Sequence, residues 1–222
     1  MNKNNNLKLN KILNSEKFLK KVIITVKKEY RPYDPGNYLY NLVVKNNKSI
    51  FEDKNLELIY TTLISWNMNS RGARLTPINI FKKSILNNKK IIIDLKKYTF
   101  KDLLINFDEI FEKLYFLYNN LELCKQKTKI VTFSKTMHFL LPNLCVPIDR
   151  KYALNFFYNN RSITNKNEFR KYKEINLNYC KIYEKYDLSK YLGKISDNGI
   201  RWNITIPKIL DNVVIGYGIL KN

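Results

Sequence analysis

The chain has 222 residues, with 40 Lys and Arg against 19 Asp and Glu, so that its formal net charge is +21. At about 150 residues per domain, this length predicts one or two domains with a core that needs neither disulfides nor a metal. Hydrophobic residues make up 45% of the chain, which excludes a disordered basic tail, and no apolar run approaches the roughly 20 residues of a membrane span.

The basic excess predicts a polyanionic partner. The chain is rich in Asn, Lys, Ile and Tyr, as an AT-rich genome would make it, but Asp and Glu codons lean the same way, and codon bias therefore does not explain the excess. We expect nucleic acid, above all double-stranded DNA, and no membrane partner, although the charge alone would also suit a membrane surface or an acidic protein. Met1–Lys11 has no apolar stretch typical of a signal peptide, which favours a cytoplasmic protein, nucleoid-associated if prokaryotic.

The cysteines and the single histidine exclude several kinds of site. Cys124, Cys145 and Cys180 lie far apart, so ligands for a tetrahedral zinc site or an iron–sulfur cluster are missing, and we expect free thiols and no cofactor. His138 lies in a largely apolar helical stretch, residues 134–141, which favours a packed, hydrogen-bonded histidine over a catalytic base.

In chain order, residues 1–14 predict a mobile basic arm and residues 15–222 a single compact helical domain. Ser15 is a candidate N-cap, Thr76 precedes a proline at a helix start, and Thr99 opens a capping-box sequence. Apolar residues at helical spacing predict helices over approximately 15–30, 53–66, 76–86, 99–118, 128–141, 151–158, 167–186 and 207–220.

Only two short stretches, Leu39–Lys45 and Ile91–Leu95, are candidate strands. The sequence shows no repeat and no Gly- or Pro-rich linker. The fold class is therefore predicted as mainly α, a compact bundle of roughly eight to ten helices with at most short strands. Two helical subdomains around a cleft are compatible with this pattern.

The first candidate functional segment is residues 63–75, where the apolar end of a helix is followed by polar residues. Its amides and guanidiniums suit base edges and phosphates, and Trp66 could stack on an unpaired base. The competing interpretation, of equal weight, makes Trp66 a core residue and the arginines solvated surface. The candidate nucleic-acid-binding residues here are Trp66, Asn67, Asn69, Arg71 and Arg74.

The second segment is residues 125–152. A lysine-rich entry leads into an apolar helix, and the chain returns through a proline-containing loop to Asp149, at the N-cap of the next helix. The competing interpretation makes Asp149 a cap alone and the lysines surface charge. Lys125, Lys127 and Arg150 are candidate nucleic-acid contacts.

In these motifs the chain resembles the helix–hairpin–helix (HhH-GPD) base-excision DNA glycosylase superfamily. Residues 129–149, ending Val-Pro-Ile-Asp, are similar to its second half, in which a lysine opens a helix and an aspartate begins the next. Residues 63–74 resemble its Leu-Leu-Ser-x-Gln helix end, and the sequence of residues 127–133 is most similar to the archaeal oxidised-guanine branch. The family's glycine-rich hairpin is missing from residues 120–126, and Arg150 replaces the usual histidine after the aspartate.

The resemblance implies a DNA glycosylase, with lyase activity if a lysine is the nucleophile. Asp149 would stabilise an oxocarbenium-like sugar or deprotonate the attacking group, and no metal would be needed. The lysine is Lys129 by its spacing from the aspartate or Lys135 by its more apolar surroundings, and the sequence does not decide between them. Trp66 or a neighbouring tyrosine could sandwich the extruded base.

Two other functions stay open. A non-catalytic DNA- or RNA-binding protein needs only the basic surface and the aromatic residues. A metal-dependent nuclease could use Asp102 with Asp108 or Glu109, or Glu168 with Glu174. Their helical spacing beside lysines favours the interpretation that they lie on solvent-exposed helix faces. The glycosylase and binding-only functions differ in whether Asp149 and a lysine line one cleft.

Overall fold

A computed structural model of the chain describes residues 3–31, 33–69, 74–161, 167–193 and 201–221. Within these ranges the chain forms eleven α-helices and no strand, which confirms the predicted all-α class. None of these helices combines the length and the apolar character needed to cross a bilayer. The helices are α1 (Lys3–Leu13), α2 (Glu16–Glu29), α3 (Pro35–Lys45), α4 (Asp53–Ser65), α5 (Ile78–Asn87), α6 (Lys89–Leu95), α7 (Phe107–Asn120), α8 (Ile130–Leu140), α9 (Asn155–Tyr158), α10 (Glu168–Lys185) and α11 (Ile206–Ile219).

Both candidate strands are helical, and they raise the helix count above the predicted range. Leu39–Lys45 lies within α3, and Ile91–Leu95 forms most of α6. In α3 the buried side chains Tyr40 and Val43 are three positions apart, which is the spacing of one helix face. The buried positions of α6 have the same spacing. Burial of one helical face thus overrides the β propensity of these aromatic and β-branched residues.

The N-terminal segment differs from the mobile arm that the sequence predicted. Residues 3–13 form α1, which packs against α2, α9 and α10. Leu9 and Ile12 are buried, and the Tyr186 hydroxyl donates a hydrogen bond to the Ile12 carbonyl at 2.8 Å. These two apolar side chains give a short polar helix a face that the core can cover.

Of the helix caps predicted at Ser15, Thr76 and Thr99, the first and the last are present. Ser15 caps α2, accepting a hydrogen bond from the backbone three residues on, and Thr99 and Asp102 form the predicted capping box before a short 3₁₀ helix. Thr76 is not a cap: its hydroxyl donates to the Glu122 carbonyl at 2.8 Å, and α5 begins two residues later. The Thr76 hydroxyl thus donates to a distant carbonyl instead of accepting from a nearby helix N–H.

Helices α2 and α11 form the most extensive helix pair of the described chain. Gly216 of α11 faces the backbone of α2, where a Cβ would overlap the Val22 carbonyl oxygen and press on Val26. Most of α11 is buried, so this helix runs through the core. The polar side chains of α11 therefore extend from a helix that the core holds in place.

His138 is packed and hydrogen-bonded, as the sequence predicted. Its Nδ1 lies 2.6 Å from the Cys145 carbonyl oxygen and its Nε2 lies 2.7 Å from the Tyr40 hydroxyl. A carbonyl only accepts, so Nδ1 carries the proton and Nε2 accepts from Tyr40. Burial lowers the pKa of His138 to about 3, which keeps the ring neutral and unavailable as a general base. The three cysteines are free thiols.

Candidate active-site cleft

A cleft of about 240 Å³ brings the two predicted segments together. Trp66 and Asn67 come from the end of α4, Lys135 from α8, and Asp149 from the loop that follows α8. Helix α11 supplies part of the opposing wall. The complete lining is Asn37, Trp66, Asn67, Lys135, Pro147, Ile148, Asp149, Lys208, Asp211 and Ile215.

Asp149 is the N-cap residue that the sequence predicted. One carboxylate oxygen accepts hydrogen bonds from the backbone N–H groups of Tyr152 at 2.6 Å and Ala153 at 3.3 Å. These bonds open the π-helical turn Arg150–Leu154, which continues into α9. The carboxylate is therefore held in one orientation at the wall of the cleft, with its second oxygen outside the cap.

A serine in α8 fixes the residue before Asp149. The Ser134 hydroxyl accepts a hydrogen bond from the Ile148 N–H at 3.0 Å and lies 3.1 Å from the Val131 carbonyl oxygen. Ser134 is fully buried, as is Ile148, so water cannot replace these bonds. The bond links α8 directly to the segment that carries Asp149.

Lys135 is the lysine that the structure places in the cleft. Its ammonium donates a hydrogen bond to the Trp66 carbonyl at 3.1 Å, at the C-terminal end of α4. Burial lowers the pKa of Lys135, while the charges of Asp149 and Asp211 act in the opposite direction. The net shift increases the fraction of neutral amine, the form that can act as a nucleophile.

Trp66 both packs against the core and lines the cleft. Its stacking on an unpaired base stays a prediction. The indole lies edge-on to Phe139 with 4.8 Å between ring centres, and its N–H donates to the Gly36 carbonyl at 3.2 Å. The ammonium groups of Lys135 and Lys208 lie 5.6 and 5.3 Å from the indole centre. Cation–π attraction thus helps to hold both lysines at the cleft.

Lys208 and Asp211 line the cleft but were not among the site residues predicted from the sequence. Their side chains form an ion pair at 2.6 Å, largely out of solvent. Burial raises the pKa of Asp211 above its ordinary value, against the opposing effect of Lys208. The available signal was a lysine and an aspartate three residues apart in an otherwise apolar helix, an unusual place for charges without a function or a partner.

Lys129, the alternative nucleophile, lies outside the cleft lining. It precedes α8, and its backbone N–H donates to the Glu168 carboxylate at 3.0 Å. Its ammonium lies 4.7 Å from the ring centre of Tyr118. Burial lowers the pKa of Lys129 as well, but the structure does not bring its side chain to Asp149.

Asn67 adopts the left-handed backbone conformation, with φ of 61°, directly after the C-cap residue Trp66. Asparagine tolerates this conformation better than other side chains, so the turn that ends α4 aims Asn67 into the cleft lining. Asn69 is exposed and does not line the cleft. Arg71 lies outside the described residues.

The other candidate nucleic-acid contacts form an exposed basic rim of Arg74, Lys125, Lys127 and Arg150. The backbone N–H of Lys125 donates to the Arg74 carbonyl at 2.9 Å, which brings the two predicted segments side by side. The Arg150 guanidinium reaches the Thr128 hydroxyl at 3.4 Å. The rim therefore joins residues from the 74–76 stretch, the α7–α8 loop and the turn after Asp149.

The acidic pairs considered for a nuclease are engaged elsewhere. Glu168 and Glu174 each accept a hydrogen bond from a tyrosine, Asp102 serves the capping box, Asp108 pairs with Lys173, and Glu109 pairs with Lys113. In the described part of the chain, no three His, Cys, Asp or Glu side chains gather as metal ligands would.

No known family model, curated protein or solved structure matches this chain. A relation to the glycosylase superfamily therefore stays a prediction from the motifs in residues 63–74 and 127–149.

Proposed function

We propose that this chain binds double-stranded DNA and is a base-excision glycosylase with lyase activity, in which Lys135 is the nucleophile and Asp149 the catalytic carboxylate. One observation carries the proposal: a half-buried lysine with a lowered pKa and a capped carboxylate line a single cleft. The family resemblance called for this pair of residue types, and Lys135 meets the geometric requirement that Lys129 does not.

The cleft has surfaces suited to an extruded base. Trp66 supplies an aromatic ring, and Pro147 and Ile215 supply apolar contacts. Base-modifying enzymes stack a flipped base between such side chains. The amides of Asn37 and Asn67 can both donate and accept hydrogen bonds, which suits the edges of a base.

The proposed chemistry follows from the two charged groups. Neutral Lys135 attacks the anomeric carbon of the nucleotide, and the glycosidic C–N bond breaks with its electron pair going to the departing base. Asp149 stabilises the positive charge on the sugar and then takes the proton lost by the new amine, while the base takes up a proton from solvent. The lone pair of the new amine then forms a C=N bond as the bond between the anomeric carbon and the ring oxygen breaks, and the ring oxygen takes the proton held by Asp149. The product is a protonated Schiff base between Lys135 and the anomeric carbon, which a reductant can trap.

The strongly basic surface supports DNA as the partner. The exposed basic rim of Arg74, Lys125, Lys127 and Arg150 is continuous with the turn that carries Asp149. Such cations contact phosphates without reading sequence, and so they suit an enzyme that scans a duplex for a damaged base.

The test is borohydride trapping on duplexes that carry an oxidised guanine, a uracil or an abasic site. We expect a covalent adduct with the wild type and with Lys129→Ala, and none with Lys135→Ala. Lys129→Ala is a matched control because it also removes a half-buried lysine with a lowered pKa. Asp149→Asn should keep the cap and lose base excision.

The trapping rate should also rise with pH to a midpoint below the ordinary lysine value of 10.5, because burial lowers the pKa of Lys135. An adduct that persists in Lys135→Ala and disappears in Lys129→Ala would reassign the nucleophile. If no substrate gives an adduct or alkali-labile strands while salt-sensitive DNA binding remains, the enzyme proposal fails and the protein is a non-catalytic DNA-binding protein.

A further inference from the structure

A second, smaller pocket is formed by two of the elements that also form the cleft, the segment that begins at Asp149 and helix α11. Its volume is about 70 Å³, and its lining includes Lys151 and Tyr152 of the turn after Asp149 and Tyr217 of α11. Four of its lining residues are cationic, namely Lys8, Lys151, Arg161 and Lys221, and none is acidic.

Within the described part of the chain, the four cations of this pocket have no acidic partner. Lys8 donates to the Asn155 carbonyl at 2.8 Å and to the side-chain oxygen of Asn159, both uncharged acceptors. Among the described residues, no carboxylate lies within ion-pair distance of any of the four cations. By contrast, Lys113 pairs with two carboxylates. Burial, together with the charge of Lys221, lowers the pKa of Lys8, as expected where like charges gather without a counterion.

Aromatic rings position two of these cations. The Lys151 ammonium lies 4.9 Å from the ring centre of Tyr152, and the Lys221 ammonium lies 5.3 Å from that of Tyr217. Tyr152 in turn packs against Gly218, where a Cβ would lie 2.6 Å from the ring. The pocket is thus built from packed rings and a close helix approach, not from loose surface lysines alone.

We propose that this pocket binds a phosphate of the nucleic-acid backbone next to the nucleotide held in the cleft, an inference that rests on the proposed DNA-binding function. A volume of about 70 Å³ corresponds to roughly two water molecules at about 30 Å³ each, which suits a small oxyanion and is too small for a nucleobase. Arg161 offers the planar fork of donors that phosphate oxygens accept.

The placement of the two sites explains why the phosphate belongs to an adjacent nucleotide. Asp149 of the cleft and Lys151 of the pocket are separated by one residue of the same turn. Ile215 of the cleft and Gly218 of the pocket are three positions apart, on neighbouring turns of α11. A DNA strand with one nucleotide in the cleft can therefore place the phosphate of a neighbouring nucleotide in the pocket.

The test is the salt dependence of affinity for a duplex that carries a stable abasic-site analogue. Each phosphate contact contributes a slope of about 0.9 to the plot of log affinity against log salt. The affinity of the wild type should fall by a certain factor between 50 and 200 mM KCl. Loss of one phosphate contact should make that factor about 3.5 times smaller (roughly 4 to the power 0.9). We expect this change in Arg161→Ala and in Lys221→Ala, with weaker binding at low salt.

Lys90→Ala is the matched control, because Lys90 is an exposed lysine outside both sites, and its slope should equal that of the wild type. Thermal unfolding of each variant checks that the fold is intact. Inorganic phosphate is titrated into the protein alone as a second arm. Phosphate binding that Arg161→Ala abolishes, with a DNA slope unchanged from the wild type, would overturn the backbone-phosphate proposal and leave a site for free phosphate.

The outcomes also separate this proposal from the enzymatic one. Reduced slopes in the pocket variants without any trapped adduct would support the pocket and contradict the glycosylase. A trapped adduct that depends on Lys135, with the wild-type slope retained in both pocket variants, would contradict the pocket alone.

Discussion

The hydroxyl of Ser134 accepts a hydrogen bond from the backbone N–H of Ile148 at 3.0 Å, and this bond joins α8 to the loop that carries Asp149. Ser134 precedes Lys135 in α8, and Ile148 precedes Asp149 in the returning loop. Both members of the bond are buried, so the distance between the two segments is fixed by an interaction that water cannot replace. The lysine and the carboxylate are therefore positioned through their neighbours.

Ser134→Ala should lower both stability and trapping rate. It leaves the buried Ile148 N–H without its acceptor, which costs about 1–3 kcal/mol in the free energy of unfolding. The resulting displacement of Asp149 should reduce the trapping rate by roughly tenfold or more. Urea unfolding and single-turnover trapping measure the two effects.

Ser84→Ala is the control for that variant. The buried Ser84 hydroxyl also accepts a hydrogen bond from a backbone N–H, that of Glu122 at 2.8 Å, but away from the cleft. We expect a similar loss of stability with an unchanged trapping rate. Equal losses of activity in the two variants would show that general destabilisation accounts for the Ser134 effect.

Asp149 has a structural and a proposed chemical role, and two substitutions separate them. Asp149→Ala removes the acceptor for the Tyr152 and Ala153 N–H groups and should cost about 1 kcal/mol of stability. Asp149→Asn keeps an N-cap oxygen and should cost at most a few tenths of a kcal/mol. Both should lose base excision, and a fully active Asp149→Asn would restrict this residue to capping.

Acidification should destabilise the protein through His138. Its pKa is about 3 in the fold and 6.5 when unfolded, so below pH 6.5 the unfolded chain binds a proton that the folded chain excludes. The stability that neutral His138 contributes is present above pH 6.5 and is lost as the pH falls. Between pH 7.5 and 5.5 this loss amounts to about 1.4 kcal/mol.

His138 is the only histidine of the chain, which makes the effect assignable. Urea unfolding at the two pH values should show the loss in the wild type and not in His138→Gln, whose amide can replace both ring hydrogen bonds. The raised pKa of Asp211 acts in the opposite direction but is common to both proteins. Parallel pH dependence in the two proteins would contradict this assignment.

Gly216→Ala should destabilise the α2–α11 pair. In an exposed helix this change stabilises by up to about 1 kcal/mol, but here the new Cβ overlaps the Val22 carbonyl oxygen and must push two backbones apart. We expect a net loss of about 1–3 kcal/mol, measured by urea unfolding. Gly218→Ala is the comparison, because its Cβ meets the Tyr152 ring, a side chain that can move, and its loss should be smaller.

Much of the fold follows from local sequence. Ser15, Thr99 and Asp149 begin their elements as predicted, because a side-chain acceptor that satisfies a nearby N–H needs no distant partner. The candidate strands at residues 39–45 and 91–95 are helical. Such short apolar runs have no decisive periodicity, and the burial of one face decided for helix.

The candidate site was predictable only in part, for a related reason. Trp66, Asn67, Lys135 and Asp149 were identified from residue type and local context, and the structure brings them together. The choice between Lys129 and Lys135 depends on which face of α8 meets the 141–149 loop, and no local pattern contains that information. Packing around Ser134 sets which lysine lines the cleft, namely Lys135. The chemical role of that lysine stays a prediction.

By itself the sequence determined the all-α class, the basic charge and the cap at Asp149, because each depends on composition or on contacts within a few residues. Tertiary structure alone decided that Lys208 and Asp211 of α11 complete the cleft wall and that α1 is a docked helix. It also decided that Lys8 and Lys221, from opposite ends of the chain, share one pocket. These are contacts between residues distant in sequence, which exist only once the core has set where each helix lies.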